Sequence, residues 1–312
     1  MKLRNKLILS CAALAAVATT AFSTTFAWYT ANDTVKATGI TGKTSEDDAT
    51  LLLISKTAKV GSWGASVQIN SSAVTLEPVA YDSTNDAYSV WDPTNNTTGG
   101  AASGGLTSDD EYISFYLYFK SGSSEDLTVQ IESFELVNQA AEDDELPTFS
   151  VLATGTGVTD PTYSVDMFRA LDVVLTVEQG LEVAASGTSP VVSSDAERTA
   201  YNCDALAQND SIVVNTANAH TYYNNVKSLG ANGIDDTKVA SETTYTSIEA
   251  LQTGTFQFDI TTGEGNQAAT GDMDPVLMVR FDIYLDGWDK MCFDAVRKQS
   301  FTLDMEFSAI TD

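Results

Sequence analysis

The chain has 312 residues, with 43 acidic side chains against 16 basic ones and a formal net charge of −27. So acidic a protein repels nucleic acid phosphates and anionic lipid headgroups, which argues against both as partners. Hydrophobic residues make up 43% of the chain, which is enough for a real core and argues against wholesale disorder.

The first 27 residues have the pattern of a cleaved export signal. A basic start, Met1–Lys6, is followed by an apolar stretch, Leu7–Val17, and by a small, polar stretch. Thr25 and Ala27 supply small residues at positions −3 and −1, so cleavage is predicted between Ala27 and Trp28. A retained anchor is the alternative, because the 21 residues 7–27 are long enough to span a bilayer. We expect a secreted protein, in the extracellular matrix or at the cell surface, that leaves the membrane after cleavage.

The mature chain is predicted to be all-β. Glu111–Lys120 and Asp126–Val137 both alternate apolar with polar residues, and a Gly/Ser/Glu/Asp cluster separates them. This pattern predicts a β-hairpin. The apolar phase of the second segment shifts after Ile131, which predicts a β-bulge near Glu132–Ser133.

Similar patterns predict further strands along the chain. They lie at Ala49–Ile54, Ser66–Ile69, Arg169–Val177, Thr255–Ile260, Val276–Leu285 and Phe301–Ile310. Short helices are predicted at Asp166–Ala170 and Asp195–Gln208, a turn at Asp286–Gly287, and a flexible low-complexity loop at Asp92–Asp110. Together these elements predict a single jelly-roll-like antiparallel β-sandwich over residues 28–312, with 180–275 as an insertion or subdomain.

Two cysteines, Cys203 and Cys292, remain after cleavage. In an exported chain such a pair predicts one disulfide, and two buried thiols are the alternative.

Motifs for catalysis or for a resident cofactor are missing from the sequence. His220 is the one histidine and lies in a polar stretch, and no nucleophile, zinc, phosphate-loop or EF-hand motif accompanies it. Acidic pairs such as Asp47–Asp48 are expected by chance among 43 acids, and Ca²⁺ could be held only by such surface carboxylates, without a motif. Trp63 and Trp91 could form a sugar platform, although packing in a core is the commoner role of such side chains. We therefore expect no enzyme.

Residues 25–53 read TFAWYTANDTVKATGITGKTSEDDATLLL. This segment resembles the N-terminus of the TasA/camelysin family, exported fibre-forming proteins of Gram-positive bacteria that carry a SipW-type signal peptide. The resemblance extends more weakly to residues 111–137 and 301–310, and residues 276–294 resemble a segment of Gram-positive surface proteins with similar signals. It implies a jelly-roll sandwich that assembles into fibres.

In that family an N-terminal segment of one subunit completes the sheet of the next by β-augmentation. The resemblance makes Trp28–Ile40 the donor strand, with Trp28, Tyr29, Val35 and Ile40 as its main side chains. An ordinary first strand is the alternative. Cleavage removes three basic residues and no acid, so the mature subunit has a net charge of about −30. Because such subunits repel one another, we expect acid, salt or Ca²⁺ to promote assembly.

Two functions from different classes thus follow from the sequence. The first is a structural subunit of extracellular, biofilm-matrix or cell-surface fibres that assembles with itself and could also bind other matrix or cell-wall components. The second is an S-layer-like or adhesive surface protein that binds glycans or a host surface.

Overall fold

The computed structural model describes the following parts of the chain: residues 35–44, 52–57, 61–70, 74–92, 97–121, 127–143, 146–147, 149–150, 162–181, 197–208, 245–252, 256–260, 276–289, 292, 296 and 299–310. These residues form eighteen strands: β1 (Val35–Thr44), β2 (Leu52–Ser55), β3 (Ser66–Asn70), β4 (Val74–Leu76), β5 (Pro78–Asp82), β6 (Ala87–Asp92), β7 (Thr97–Ala101), β8 (Gly104–Gly105), β9 (Tyr112–Ser121), β10 (Leu127–Asn138), β11 (Phe149–Ser150), β12 (Thr162–Tyr163), β13 (Leu171–Leu181), β14 (Glu197–Asn202), β15 (Tyr245–Ser247), β16 (Gln257–Ile260), β17 (Val276–Asp286) and β18 (Ser300–Ile310). Short helices occur at Gln139–Glu142 and Glu249–Gln252, and 3-10 turns at Met167–Arg169 and Asp204–Leu206.

The strands form two large sheets and one small one. The six-stranded sheet has the order β16-β10-β18-β1-β3, with β4 also paired to β1. The ten-stranded sheet has the order β15-β14-β13-β17-β5-β6-β7, with β9 paired to β17, β2 and β8, while β11 and β12 pair by themselves. The all-β class is therefore confirmed. The sheets are mixed rather than purely antiparallel, because β1–β18, β14–β15, β5–β17 and β8–β9 pair in parallel.

The two large sheets pack face to face over one hydrophobic core. Phe119 of β9 lies 4.9 Å from Phe307 of β18, measured between ring centroids. The period-2 pattern of β18 is confirmed, because its alternate apolar residues are all buried: Phe301, Leu303, Met305 and Phe307. Alternation works in this way because successive side chains of a strand point to opposite faces of its sheet.

The predicted hairpin between β9 and β10 is wrong. Strand β9 pairs with β17, β2 and β8 in one sheet, whereas β10 pairs with β18 and β16 in the other. Both strands bury an apolar face in the same core, so they lie on opposite sides of the sandwich. Sheets pack about 10 Å apart, and the five intervening residues can span that gap. The bulge is confirmed, since the register of β10 against β18 shifts between Ile131 and Ser133.

Two other local predictions are also wrong. The helix expected at Asp195–Gln208 is strand β14 followed by a 3-10 turn, because pairing with β13 overrides the helical propensity of the sequence. The loop expected at Asp92–Asp110 contains β7 and β8. Within 180–275, the described residues supply β14 and β15 to one sheet and β16 to the other.

Strands β5 and β6 form a hairpin that covers the outer face of the ten-stranded sheet. The hairpin joins β17 at two register positions, Leu285 opposite Pro78 and Asp286 opposite Val79. A second apolar cluster lies beneath it and consists of Val79, Tyr81, Tyr88, Val174 and Tyr284. The ten-stranded sheet therefore buries both of its faces around β13 and β17.

Candidate assembly site

The N-terminal strand β1 lies inside the six-stranded sheet. It runs parallel to β18, from Lys36 opposite Ser300 to Thr44 opposite Phe307, with a register shift between Ala37 and Gly39. Its other edge pairs antiparallel with β4 and then with β3. We call the space between β18 and the β3/β4 pair the N-terminal slot; β1 of the same chain fills it.

The residues around the N-terminal slot are among the most deeply buried in the molecule. They are Phe301, Leu303, Met305 and Phe307 of β18, Ile69 of β3, and Val74 and Leu76 of β4. The register sets Val35 opposite Leu76 and Ile40 opposite Leu303. The apolar residues of β1 thus stand at register positions beside buried apolar partners.

Gly42 of β1 faces the hydrophobic core. A Cβ atom built there would lie 3.6 Å from Phe307 Cε2 and 3.7 Å from both Leu117 Cδ1 and Val67 Cγ1. These are ordinary van der Waals distances, so a small residue fits this position without strain. On the opposite face, the Thr41 hydroxyl donates a hydrogen bond to Asp304 Oδ1 of β18.

The structure describes only part of the predicted donor segment. Ala27, Trp28 and Tyr29 lie outside the described residues, as does His220, whereas Val35 and Ile40 lie in β1. The strand continues beyond the predicted boundary at Ile40 to Thr44. Residues 45–51 then separate β1 from β2.

The predicted disulfide between Cys203 and Cys292 is not formed. Both side chains are buried thiols, 0% and 3% exposed. Burial raises the pKa of the Cys203 thiol, and the nearby charges of Asp172 and Asp204 raise it further. The alternative of two buried thiols is therefore the one found, because both side chains pack into the shared core as small apolar groups.

The described residues contain no metal cage, and one of the two tryptophans considered for a sugar platform is buried. They contain no group of three or more His, Cys, Asp or Glu side chains that could hold a metal ion. Trp91 is 4% exposed and packs against Trp288, with ring centroids 4.4 Å apart. Trp63 carries the Lys120 ammonium 4.8 Å from its ring centroid. None of the helices in the described ranges is long and apolar enough to cross a membrane.

A buried polar cluster that the sequence interpretation missed lies under the β5–β6 hairpin. We call it the hairpin cluster; it consists of Tyr81, Asp86, Tyr88, Ser114, Arg198, Arg280 and Asp282. The Arg280 Nη2 atom donates to both carboxylate oxygens of Asp86, at 2.7 and 2.9 Å, and Nε donates to Asp282 Oδ2 at 2.9 Å. The Asp282 carboxylate also accepts from Ser114 Oγ at 2.6 Å and from Tyr88 Oη at 3.1 Å. The cluster ties the hairpin to the sheet.

Burial and charge act against each other in the hairpin cluster. Burial raises the pKa of the Asp282 carboxyl, and the Arg280 charge with the Ser114 and Tyr88 hydrogen bonds offsets this only in part. Burial lowers the pKa of the Arg280 guanidinium, but the Asp282 and Asp86 charges outweigh it and hold that pKa above its usual range. One signal in the sequence could have revealed the cluster, because Arg280 and Asp282 lie on one face of an otherwise apolar strand. Charged side chains in such a buried strand need partners of opposite charge.

Comparison of the chain with models of known protein families, with curated proteins and with solved structures finds no match.

Proposed function

We propose that the protein is an exported structural subunit of extracellular, biofilm-matrix or cell-surface fibres. Subunits assemble when the N-terminal strand of one copy enters the N-terminal slot of the next. The observation that carries the proposal is the position of β1. It is the first described strand of the chain, it runs parallel to β18, and only residues 45–51 separate it from β2.

The pairing of β1 needs no particular chain connection. The strand is joined to β18, β3 and β4 by a backbone ladder, and buried apolar residues of those strands stand at the paired register positions. The same contacts form whether the strand comes from the same chain or from another copy. Exchange of an identical element costs little in contact energy, and a head-to-tail exchange that does not close makes a filament.

An empty slot would strongly favour its refilling. Without β1, the edge of β18 would lose its ladder, and buried side chains such as Leu303 and Leu76, both 0% exposed, would meet water. Burying one such side chain contributes about 1.5–3 kcal/mol, and an unpaired sheet edge binds another strand readily. A strand donated by another copy restores both the backbone ladder of β18 and the burial of these side chains.

Three preparations test the proposal by negative-stain microscopy and light scattering. The mature chain that begins at Trp28 is expected to form filaments, with assembly promoted by acid, salt or Ca²⁺. A chain that lacks residues 28–44 is expected to remain unpolymerised. A synthetic peptide of residues 28–44 is expected to bind this truncated chain, whereas a peptide of the same composition in scrambled order is not.

Two results would contradict the proposal. One is polymerisation of the truncated chain as efficient as that of the mature chain. The other is a mature chain that stays monomeric under every condition, which would favour the adhesive surface protein instead, with binding to a glycan array as its test.

A further inference from the structure

Three strands of the ten-stranded sheet place a row of polar side chains under the β5–β6 hairpin. The register sets Thr176 of β13 opposite Arg198 of β14 on one side and opposite Arg280 of β17 on the other. Directly paired residues lie on the same face of a sheet. Two guanidinium groups therefore flank one hydroxyl group.

The row receives a carboxylate from the hairpin. Arg280 Nη2 contacts Asp86 Oδ1 and Oδ2 at 2.7 and 2.9 Å, and Arg198 Nε lies 3.2 Å from Oδ2. The Tyr81 hydroxyl donates to Oδ1 at 3.3 Å. Two arginines and a phenol around one carboxylate are the donor set of a carboxylate-binding site, because guanidinium matches carboxylate in geometry and charge.

Asp86 is not an ideal occupant of this site. It has a φ of +50° and is the one non-glycine residue with positive φ in the described part of the chain. A left-handed backbone costs energy for a residue other than glycine. Thr176 is 0% exposed, and its hydroxyl has no hydrogen-bond partner among the described residues. The tethered carboxylate thus leaves one buried donor unused.

The Arg280 guanidinium should keep its position when the Asp86 carboxylate is removed. Arg280 is held separately by Asp282, which in turn accepts hydrogen bonds from Ser114 and Tyr88. The side chains of Asp86 and Arg198 are 16% and 23% exposed, so the site is close to solvent.

We propose that Arg198, Thr176 and Arg280 form a carboxylate-binding site that Asp86 occupies from within the chain, and that an external carboxylate can take its place. A free carboxylate is not tied to the turn, so it can accept a hydrogen bond from the Thr176 hydroxyl as well as from the two guanidinium groups. This site is independent of the N-terminal slot, on the other sheet.

Chemical rescue of an Asp86→Gly variant in the full mature chain tests the site. Glycine adopts the +50° φ without strain, so the variant removes the carboxylate and keeps the turn. With sodium acetate at about 0.1 M, in place of sodium chloride at equal ionic strength and pH 7, the midpoint of thermal unfolding is expected to rise by about 2–5 °C. The wild-type chain is expected to show no acetate-specific rise, because its tethered carboxylate outcompetes free acetate.

Two matched variants sharpen the test. Asp82→Gly removes an exposed carboxylate of the same turn, whose hydrogen bonds go to Thr84 and Asn85, and should show no acetate-specific rise. Thr176→Val in the Asp86→Gly background keeps the shape and removes the hydroxyl, so the rise should shrink by at least half. Galacturonate and N-acetylaspartate, titrated in parallel, distinguish a sugar acid from a protein side chain as the source of the carboxylate.

An equal midpoint in acetate and chloride for the Asp86→Gly variant would overturn the proposal, as would an equal rise with sulfate. If the variant is unfolded in chloride at 25 °C, refolding in acetate alone supports the site, and failure to refold in either salt overturns it.

Discussion

The two large sheets treat their outer faces in opposite ways. On the six-stranded sheet the outward-facing acids are exposed to solvent, for example Glu132 and Glu135 of β10 and Asp304 of β18. On the ten-stranded sheet the outward-facing acids Asp172 and Asp282 are 6% and 1% exposed. One face is a solvated surface, and the other is a second interior in which buried charged groups lie beside an apolar cluster.

This difference indicates which sheet can exchange a strand between subunits at little cost in free energy. Strand β1 pairs through its backbone with strands of the six-stranded sheet whose own apolar residues are buried, and any copy of the same strand can form that pairing. The hairpin over the ten-stranded sheet is held by buried ion pairs that require particular side chains in particular places. The strand that we propose to be exchanged therefore lies in the sheet with the solvated outer face.

The largest effect should come from locking β1 to its own chain. In a Thr41→Cys, Asp304→Cys variant the new cysteines are direct register partners, and neighbouring strands lie within disulfide range. Oxidation should abolish filaments, because the strand can no longer be donated, and reduction should restore them. The native thiols are buried and should not compete. Microscopy of the oxidised and reduced protein makes the comparison, with the single Asp304→Cys variant as control.

Filaments from the fully oxidised double variant would show that assembly does not use exchange of β1. Mass spectrometry of the locked protein must first confirm that the new disulfide lies within one chain.

The second effect concerns the hairpin cluster. Arg280→Ala leaves Asp86 and Asp282 without their shared guanidinium, and breaking a buried ion pair by removing one partner costs about 3–5 kcal/mol. The measurement is urea unfolding. Lys56→Ala is the control, because this exposed side chain donates a 3.0 Å hydrogen bond to the Gln68 carbonyl and should cost about 0.5 kcal/mol or less. Equal losses in the two variants would show that the cluster adds nothing to stability.

The positions of the strands could be predicted from the sequence, but the partners with which they pair could not. The alternation in residues 111–137 located β9 and β10 within a residue or two. Alternation states only that one face of each strand is apolar, and both a hairpin and a crossing between sheets satisfy that condition. Which one forms depends on distant partners such as β17 and β18, so the local sequence holds no signal for it.

The candidate site shows the same division. The predicted segment Trp28–Ile40 overlaps β1 over Val35–Ile40, but the end of the strand at Thr44 depends on its pairing with Phe307. Asp86 lies in a turn that has no motif, and its partner Arg280 is 194 residues away along the chain. Helical propensity in residues 195–208 gave way to pairing with β13 for the same reason.

A third, smaller effect tests packing beside the hairpin. At Gly287, directly after β17, an added Cβ atom would lie 2.3 Å from Trp91 Cγ and 2.5 Å from Trp91 Cβ. Gly287→Ala must displace a buried tryptophan and should cost about 1–3 kcal/mol in urea unfolding. Gly100→Ala, where nothing lies within 4 Å, should change stability by about 0.5 kcal/mol or less. A neutral Gly287→Ala would mean that Trp91 moves aside freely.

The smallest effect should come from Asp172, at the other end of the same outer face. Burial raises the pKa of the Asp172 carboxyl well above its usual value, and the charges of Asp286, Asp289 and Asp204 raise it further. Nearby, the Tyr245 hydroxyl lies 2.9 Å from the Tyr284 hydroxyl and donates to Asp286 Oδ2 at 3.4 Å. The fold therefore favours the protonated acid.

Because the pKa of Asp172 is higher in the folded than in the unfolded chain, the folded state holds a proton that the unfolded state gives up near pH 4. The stability that this proton contributes is full below that pH and is lost as the pH rises through the folded pKa. Asp172→Asn imitates the protonated acid, so it should raise the thermal midpoint at pH 8, by about 2–4 °C for each kcal/mol gained, and change it little at pH 4. Glu135→Gln, on the solvated face of the other sheet, should change it little at either pH. A midpoint gain for Asp172→Asn that is the same at pH 4 and pH 8 would show that Asp172 does not titrate within the fold. The two outer faces would then differ in the burial of their acids but not in proton uptake on folding.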